Sequence, residues 1–300
     1  MHCRVMLVVL ALSFAQGSVA AQATAADWLA RMVDSHRTLN YRGVVTYKID
    51  DQLNSFKVSH SVRGGREYEA LEMLEGGESE VIREGHDVNC VHPGPELLRL
   101  LVVNPSDARS LQQLYSLSVG DNLTVAGRDA VAMRIEPRDV YRLGYRLALD
   151  RETGLLLRSE IINKNDKVLE RFEYVVLDLS AGDGEQGDAN AKRVAHSRSA
   201  DDSNSSPRDW QLSWLPPGFT PLRGADQQSI SYTDGLAVFS VFIEPLAPDQ
   251  PFSADSHLRR GASVSYSTVL KQHGKLVSVV GEVPMLTARQ VARSVTWGAP

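Results

Sequence analysis

The segment YRLGYRLAL, residues 141–149, decides the fold class because its large apolar side chains recur at every second position. A period of two is typical of a β-strand with one buried face. The sequences DRETG (150–154) and NKND (163–166) are typical of tight turns, and a third apolar segment begins at Val168. The sequence therefore predicts an antiparallel meander over about residues 141–179.

Toward the N-terminus, the apolar pattern changes from strand-like to helical. Residues 41–49 and 131–135 alternate as strands do, whereas residues 107–115 have the spacing of a short helix. A longer amphipathic helix is predicted from the i, i+3, i+4, i+7 spacing of Leu29, Met32, Val33 and His36. The first region is therefore predicted to be a large, mostly antiparallel sheet with a few helices.

Toward the C-terminus, a change in composition divides the chain. Residues 181–207 are rich in small and polar residues, which predicts a flexible linker. This linker would separate a domain at 24–180 from a smaller α+β domain at 208–300. Strands of the smaller domain are predicted near residues 230–232, 236–243, 264–270 and 276–283, with a helix after Pro284.

Residues 1–23 have the pattern of a cleavable signal peptide. Arg4 precedes a short apolar run at 5–12, and small residues gather at 18–23. The apolar run is too short to span a bilayer comfortably. Cleavage would remove Cys3 and leave Cys90 as a lone thiol, to which the sequence assigns no role.

Composition and motifs argue against nucleic-acid binding and catalysis. The 300 residues carry a net charge of −5 without a long basic block, whereas phosphate binding needs a concentrated positive surface. The sequence contains no nucleophile elbow, P-loop, dinucleotide fingerprint or metalloprotease motif. We therefore expect a protein that is not an enzyme, has no catalytic residues and needs no cofactor.

Two groups of polar residues have spacings that could carry chemistry. His86, Cys90 and His92 could share one face of a strand, but they lack a clear fourth metal ligand. We interpret them as ordinary strand and turn residues and predict no metal site. The acidic pair Glu67 and Glu69 also has strand-like spacing, and we interpret it as a solvated face.

The predicted first sheet has one polar and one apolar face. Arg142 and Arg146 fall on the polar face, either as a cationic strip for acidic ligands or as an ordinary hydrated surface. The apolar face of a curved sheet can enclose a lipid-sized cavity, although a normally packed core is the alternative. The candidates for lining this cavity are Tyr41, Val45, Tyr47, Tyr141, Tyr145, Leu147, Phe172 and Tyr174.

Several motifs occur in an order and spacing that resemble one known family. The N-terminal part contains DWL (27–29) and YRGVVTY (41–47), and the C-terminal part contains WLPPGF (214–219), YTDGLAVFSVFIE (232–244) and VVGEVP (279–284). Over essentially the whole exported chain, this pattern resembles the RseB/MucB family of periplasmic negative regulators of envelope-stress sigma factors. The segment 181–207 is where the resemblance lapses.

The resemblance implies a fold, a location and a partner. The fold would be a LolA/LolB-like open antiparallel β-barrel with plugging helices, followed by the smaller α+β domain. In the periplasm, the protein would bind the periplasmic domain of an RseA/MucA-type anti-sigma factor and protect it from proteolysis. Lipopolysaccharide or mislocalised lipoproteins would release it. Candidates for partner contact are Trp214, Phe219, Tyr232, Asp234, Phe239, Phe242 and Glu244.

Two other functions stay open from the sequence. A periplasmic lipid or lipoprotein carrier would share the cavity, but it would not need a second surface for a protein partner. A periplasmic hydrolase is disfavoured because the chain lacks a recognisable nucleophile–base pair. The natural lipid and the oligomeric state, including a homo-oligomer, are left open.

Overall fold

The computed structural model describes residues 23–75, 79–87, 108–180, 192–193, 209–222, 228–246 and 255–297. For residues 79–87, 108–110 and 192–193 it describes the backbone alone. The signal-peptide prediction, apart from Ala23, lies outside the described residues, as do Cys90, His92 and nearly all of the predicted linker.

Helix α1, Ala25–Thr38, packs its apolar face against the large sheet. It begins with a capping box in which the Asp27 amide donates to the Thr24 hydroxyl and the Thr24 amide donates to the Asp27 carboxylate. The predicted face formed by Leu29, Met32, Val33 and His36 is buried, which confirms the helix prediction. The short helix α2, Ala108–Leu114, follows the prediction for residues 107–115.

The large sheet contains ten strands in the order β10-β4-β3-β2-β1-β9-β8-β7-β6-β5. Neighbouring strands are antiparallel except β10 and β4, and the described ends β5 and β10 do not pair, so the sheet is open. The strands are β1 Tyr41–Ile49, β2 Gln52–Arg63, β3 Arg66–Met73, β4 Ser79–Asp87, β5 Tyr115–Val125, β6 Arg128–Pro137, β7 Gly144–Asp150, β8 Leu156–Ile162, β9 Val168–Asp178 and β10 Lys192–Arg193.

The predicted meander is confirmed as β7, β8 and β9, with one difference at its start. Strand β7 begins at Gly144, and Tyr141 lies in a bend before it. The Tyr141 amide donates to the Asp139 carboxylate at 2.9 Å, a local bond that stabilises a turn instead of a ladder. The alternation of residues 141–143 therefore does not correspond to strand structure.

The second sheet contains six strands in the order β12-β13-β14-β17-β16-β15. Helix α3, Met285–Arg293, packs on β16 and β17, and β11 pairs with β18 as a separate ribbon. The remaining strands are β11 Trp210–Leu212, β12 Thr220–Pro221, β13 Ser229–Thr233, β14 Val238–Pro245, β15 Ser256–Arg260, β16 Ser263–Leu270, β17 Lys275–Gly281 and β18 Val295–Trp297. The predicted fold class, an open antiparallel sheet with helices followed by a smaller α+β unit, is confirmed.

The two sheets are joined by continuous packing. Leu236 and Ala262 belong to the second unit, yet both are buried in the core cluster that contains α1 and strands β6 and β7 of the first. Gly218 lies against the side chain of Leu114, which brings the loop before β12 onto helix α2. Among the described residues, no helix is long and apolar enough to cross a membrane.

Candidate functional site

Asp234 is the centre of a buried polar junction between the two units. Its turn between β13 and β14 is held by bonds from the amides of Leu236 and Ala237 to Asp234 Oδ1, at 3.0 and 2.9 Å. Asp234 Oδ2 accepts from Arg142 Nε at 2.7 Å and from the Tyr115 hydroxyl at 2.8 Å. Neither the Arg142 nor the Asp234 side chain is exposed to solvent, so the ion pair is fully desolvated.

Arg142 uses its whole guanidinium group in this junction. Besides Asp234, it donates to the Asp139 carboxylate and to the carbonyl oxygen of Pro217. Its charge lies 5.1 Å from the ring centroid of Phe219, within the range of a cation–π interaction. The planar fork of arginine suits such a site because several donors point in fixed directions.

The prediction that Arg142 faces solvent is therefore wrong, whereas Arg146 does remain at the surface. Arg142 lies in the bend before β7, where its side chain reaches the second unit. Arg146 lies within β7 and pairs with the partly exposed Asp166 and with Glu160. Arg142 and Arg146 thus have a strand-like spacing in the sequence, but one is buried and the other lies at the surface.

Two tyrosines beside the junction stay protonated. Burial raises the pKa of Tyr115 well above its ordinary value, and the charge of Asp234 adds to the effect. Burial likewise raises the pKa of Tyr145, with smaller contributions from the carboxylates of Glu282, Asp234 and Glu170. The Tyr115 hydroxyl is therefore a proton donor to Asp234 over the whole physiological pH range.

A second junction contact involves the tip of the β15–β16 hairpin. The Ala262 amide donates to Glu170 Oε1 at 2.8 Å, and the Gly261 amide donates to Asp50 Oδ2 at 2.9 Å. The Tyr47 hydroxyl donates to the other oxygen of Glu170. Carboxylates of the large sheet therefore hold the backbone of the hairpin tip.

The candidates for lining a lipid cavity fall into two core clusters and one half-buried position outside them. Tyr41, Val45, Tyr47, Phe172 and Tyr174 are buried together on β1 and β9. Tyr145 and Leu147 are buried with α1 in a separate cluster. Tyr141 belongs to neither, and its ring contacts Trp214 at a centroid distance of 5.1 Å.

The candidates for partner contact also divide by exposure. Phe242 and Glu244 are exposed on β14, and Trp214 is half-buried. Phe219, Tyr232 and Phe239 are packed against one another in the core of the second unit, and Asp234 is in the junction. In this structure, the exposed members alone present side chains to a partner.

A further buried polar cluster lies between α1 and strands β2 and β3. Glu67 and Glu69 are each 1% exposed, so the interpretation of this pair as a solvated face is wrong. They lie on the face of β3 that is buried, next to His60 and near His36 of α1. A period of two shows that the two residues share a face, but it does not show which face is covered.

Comparison with known proteins explains the two-unit architecture. The family model of the MucB/RseB N-terminal domain matches residues 24–199, and that of the MucB/RseB C-terminal domain matches residues 204–296. The chain belongs to the MucB/RseB family. The resemblance stated from the motifs is thereby confirmed.

Individual MucB and RseB proteins are similar over nearly their whole length. The chain is 34% identical to the sigma factor AlgU regulatory protein MucB of Pseudomonas aeruginosa, with 91% of each covered. It is 28% identical to the sigma-E factor regulatory protein RseB of Haemophilus influenzae, over 95% of this chain and 96% of that one. A crystal structure of MucB in complex with MucA(peri) matches with a TM-score of 0.73 and 32% identity, covering 92% of this chain and 100% of that one.

Sequence reasoning missed several residues that form the junction. Glu170 and Tyr115 had no distinguishing local pattern, because their partners are 92 and 119 residues away along the chain. Asp234 was selected from the MucB/RseB motif at 232–244, but as a surface contact. The family motif singled out Asp234, and the structure places it in the buried junction instead of at the surface.

Proposed function

We propose that this chain is a periplasmic, non-catalytic regulator of a sigma-factor pathway. It binds the periplasmic domain of a MucA/RseA-type anti-sigma factor and protects that domain from proteolysis. The observation that carries the proposal is the likeness, over both units, to MucB in complex with MucA(peri). Regulatory relatives in the same family support a binding role over an enzymatic one.

The outer face of the second sheet is the favoured contact surface. Phe242 on β14 is 38% exposed, and Val280 on the neighbouring β17 is 41% exposed on the same face. Glu244 follows two residues after Phe242 and therefore shares its face. An exposed aromatic beside an aliphatic and a charged side chain is a suitable anchor for a peptide segment.

Lipid-type signals are proposed to release the partner. The apolar residues of β1 and β9 support this part. Repacking them around an acyl chain would move Tyr47, whose hydroxyl donates to Glu170, and Glu170 in turn accepts from the hairpin tip. A lipid that binds one arrangement better than the other shifts the population between them. A lipid carrier, the alternative function, would bind its lipid with the same apolar residues of β1 and β9.

Titration of the labelled periplasmic segment of the anti-sigma factor with the exported chain tests the proposal. We expect saturable binding and slower digestion of the segment by added protease. Phe242→Asp should weaken binding at least tenfold, because interface anchors commonly contribute more than about 1.4 kcal/mol. Leu53→Asp is the matched control, since Leu53 is 58% exposed on β2 of the other sheet, away from the proposed contact face.

Two outcomes would count against this assignment. Absence of binding by a folded chain that does bind lipid would identify a carrier instead of a regulator. Equal weakening by Phe242→Asp and Leu53→Asp would place the contact surface elsewhere.

A further inference from the structure

The buried polar cluster between α1 and the β2–β3 hairpin has the composition of a metal site. One ligand atom each from His36, Glu67 and Glu69 lies within 4.8 Å of the other two. All three residues are buried, at 5%, 1% and 1% exposure. They come from two elements, the last turn of α1 and strand β3, so the cluster depends on tertiary packing.

We propose that His36, Glu67 and Glu69 bind a zinc ion. Imidazole nitrogen and carboxylate oxygen are both zinc ligands, with bonds of about 2.0–2.2 Å. Such bonds place tetrahedral ligands about 3.4 Å apart, so a pair of ligand atoms that starts 4.8 Å apart closes by about 1.4 Å. Three protein ligands leave the fourth position for a water molecule.

Neighbouring groups already hold the ligands in orientation. The Tyr41 hydroxyl lies 3.0 Å from His36 Nδ1, and we assign the other ring nitrogen, Nε2, as the ligand atom. His60 Nε2 lies 3.0 Å from Glu67 Oε1, and His60 Nδ1 lies 2.7 Å from the carbonyl oxygen of Leu39. A carbonyl oxygen only accepts, so His60 is held as a donor on that side. Hydrogen bonds of this kind to ligating side chains are typical of protein metal sites.

The ligand types of the cluster suit a divalent cation. Glu67 already faces His60 Nε2 at 3.0 Å, and a cation between the two carboxylates would add to the compensation of their negative charge. A nitrogen donor and a small ligand set favour zinc over calcium, which takes six to eight oxygen ligands, and over magnesium, which keeps an octahedral oxygen shell. The ion would fasten α1 to the β2–β3 hairpin.

The metal content of untagged exported chain, after incubation with zinc and dialysis, is the primary measurement. We expect one zinc per chain and a rise in melting temperature of about 5 °C when zinc is at 100 times its dissociation constant. Calcium and magnesium at the same concentration should give no rise. A folded chain that retains no zinc would overturn the proposal.

Matched variants locate the ion. Glu69→Gln and His36→Gln should each lose the bound zinc, whereas Glu72→Gln, on the opposite face of β3, and His257→Gln, on exposed β15, should retain it. The backbone of β4 places His86 opposite Glu67, and Cys90 and His92 follow it along the chain. Zinc lost from Cys90→Ser/His92→Gln but retained by Glu69→Gln would refute the assignment.

Cobalt substitution of the wild-type chain provides evidence that does not depend on a variant folding. Bound Co²⁺ in a four-coordinate site of nitrogen and oxygen ligands gives intense visible bands without a thiolate charge-transfer band. We expect those bands, and we expect zinc to displace them. A thiolate charge-transfer band would mean that Cys90 ligates the ion, which contradicts the proposed ligand set.

Discussion

Arg142 shows how a strand-like spacing can mislead about both the segment and the environment of a residue. The alternation at 141–149 predicted strand β7 correctly from Gly144 onward, but Arg142 lies in the bend before it, and a period of two carries no information on a partner 92 residues away. Asp234 and Pro217 both come from the second unit, so the burial of Arg142 is a consequence of tertiary packing. Glu67 was misassigned for the same reason, because α1 covers its face of the sheet.

Arg142→Met should lower the free energy of unfolding by about 3–5 kcal/mol, because it leaves Asp234 charged and buried without its cation. Chemical denaturation of the exported chain measures this loss. Arg134→Met is the control, since Arg134 pairs with the exposed Glu136 and Asp166 and should change stability by at most about 1 kcal/mol. Similar losses in both variants would mean that the buried pair contributes no more than a surface one.

At the scale of elements, local sequence predicted some of the strands that have one buried face and missed others, such as β3. Strand β16 alternates between partly buried and buried residues from Ser263 to Thr268, and it was predicted almost to the residue. Strand β15 is exposed along its whole length, so it has no alternation and went unpredicted. Yet the hairpin that β15 forms with β16 makes the second junction contact. The contact made by this hairpin depends on the backbone amides of Gly261 and Ala262 at its tip.

Gly261→Ala should loosen this hairpin from the large sheet. Gly261 has a φ of +57°, and a Cβ there would lie 2.8 Å from Ile49 and collide with Glu170. Gly274→Ala is the control, because Gly274 has nearly the same φ, +58°, but nothing within 4 Å of the added Cβ. Both should lose about 1 kcal/mol from the left-handed backbone, and Gly261→Ala should lose more.

Amide hydrogen exchange at Gly261 and Ala262 gives the second measurement for this pair. We expect faster exchange at these amides in Gly261→Ala and unchanged exchange in Gly274→Ala. If the two substitutions have the same effect on stability and on exchange, the hairpin tip does not fasten the two units together.

For the whole molecule, the family motifs predicted more than the local patterns did. The order of the motifs identified both units and the MucB/RseB family, which no single strand could have done. The division at 181–207 stays a prediction, since nearly all of that segment lies outside the described residues. The sequence did not predict the junction between the two units, because the junction contacts join residues that are distant along the chain.

Lipid and the anti-sigma segment should each weaken binding of the other to the chain. Lipopolysaccharide or an acylated peptide should weaken binding of the labelled segment by about 5- to 150-fold, the range of typical coupling free energies. A few buried methylenes, at about 0.8 kcal/mol each, suffice for this difference. The same peptide without its acyl chain is the control, and fluorescence anisotropy is the measurement. An affinity that is constant at every lipid concentration would exclude release by lipid.

The two junction contacts would respond differently if the two units were exchanged between related proteins. Glu170 accepts a hydrogen bond from a backbone amide, which almost any residue at that position of an incoming hairpin would offer. Asp234 instead needs the side chain of Arg142, a specific residue from the other unit. A chimera that exchanges whole units could therefore preserve the hairpin contact with other residues at its tip, as long as position 261 stays glycine. It would fold well only if the arginine and the aspartate were inherited as a pair.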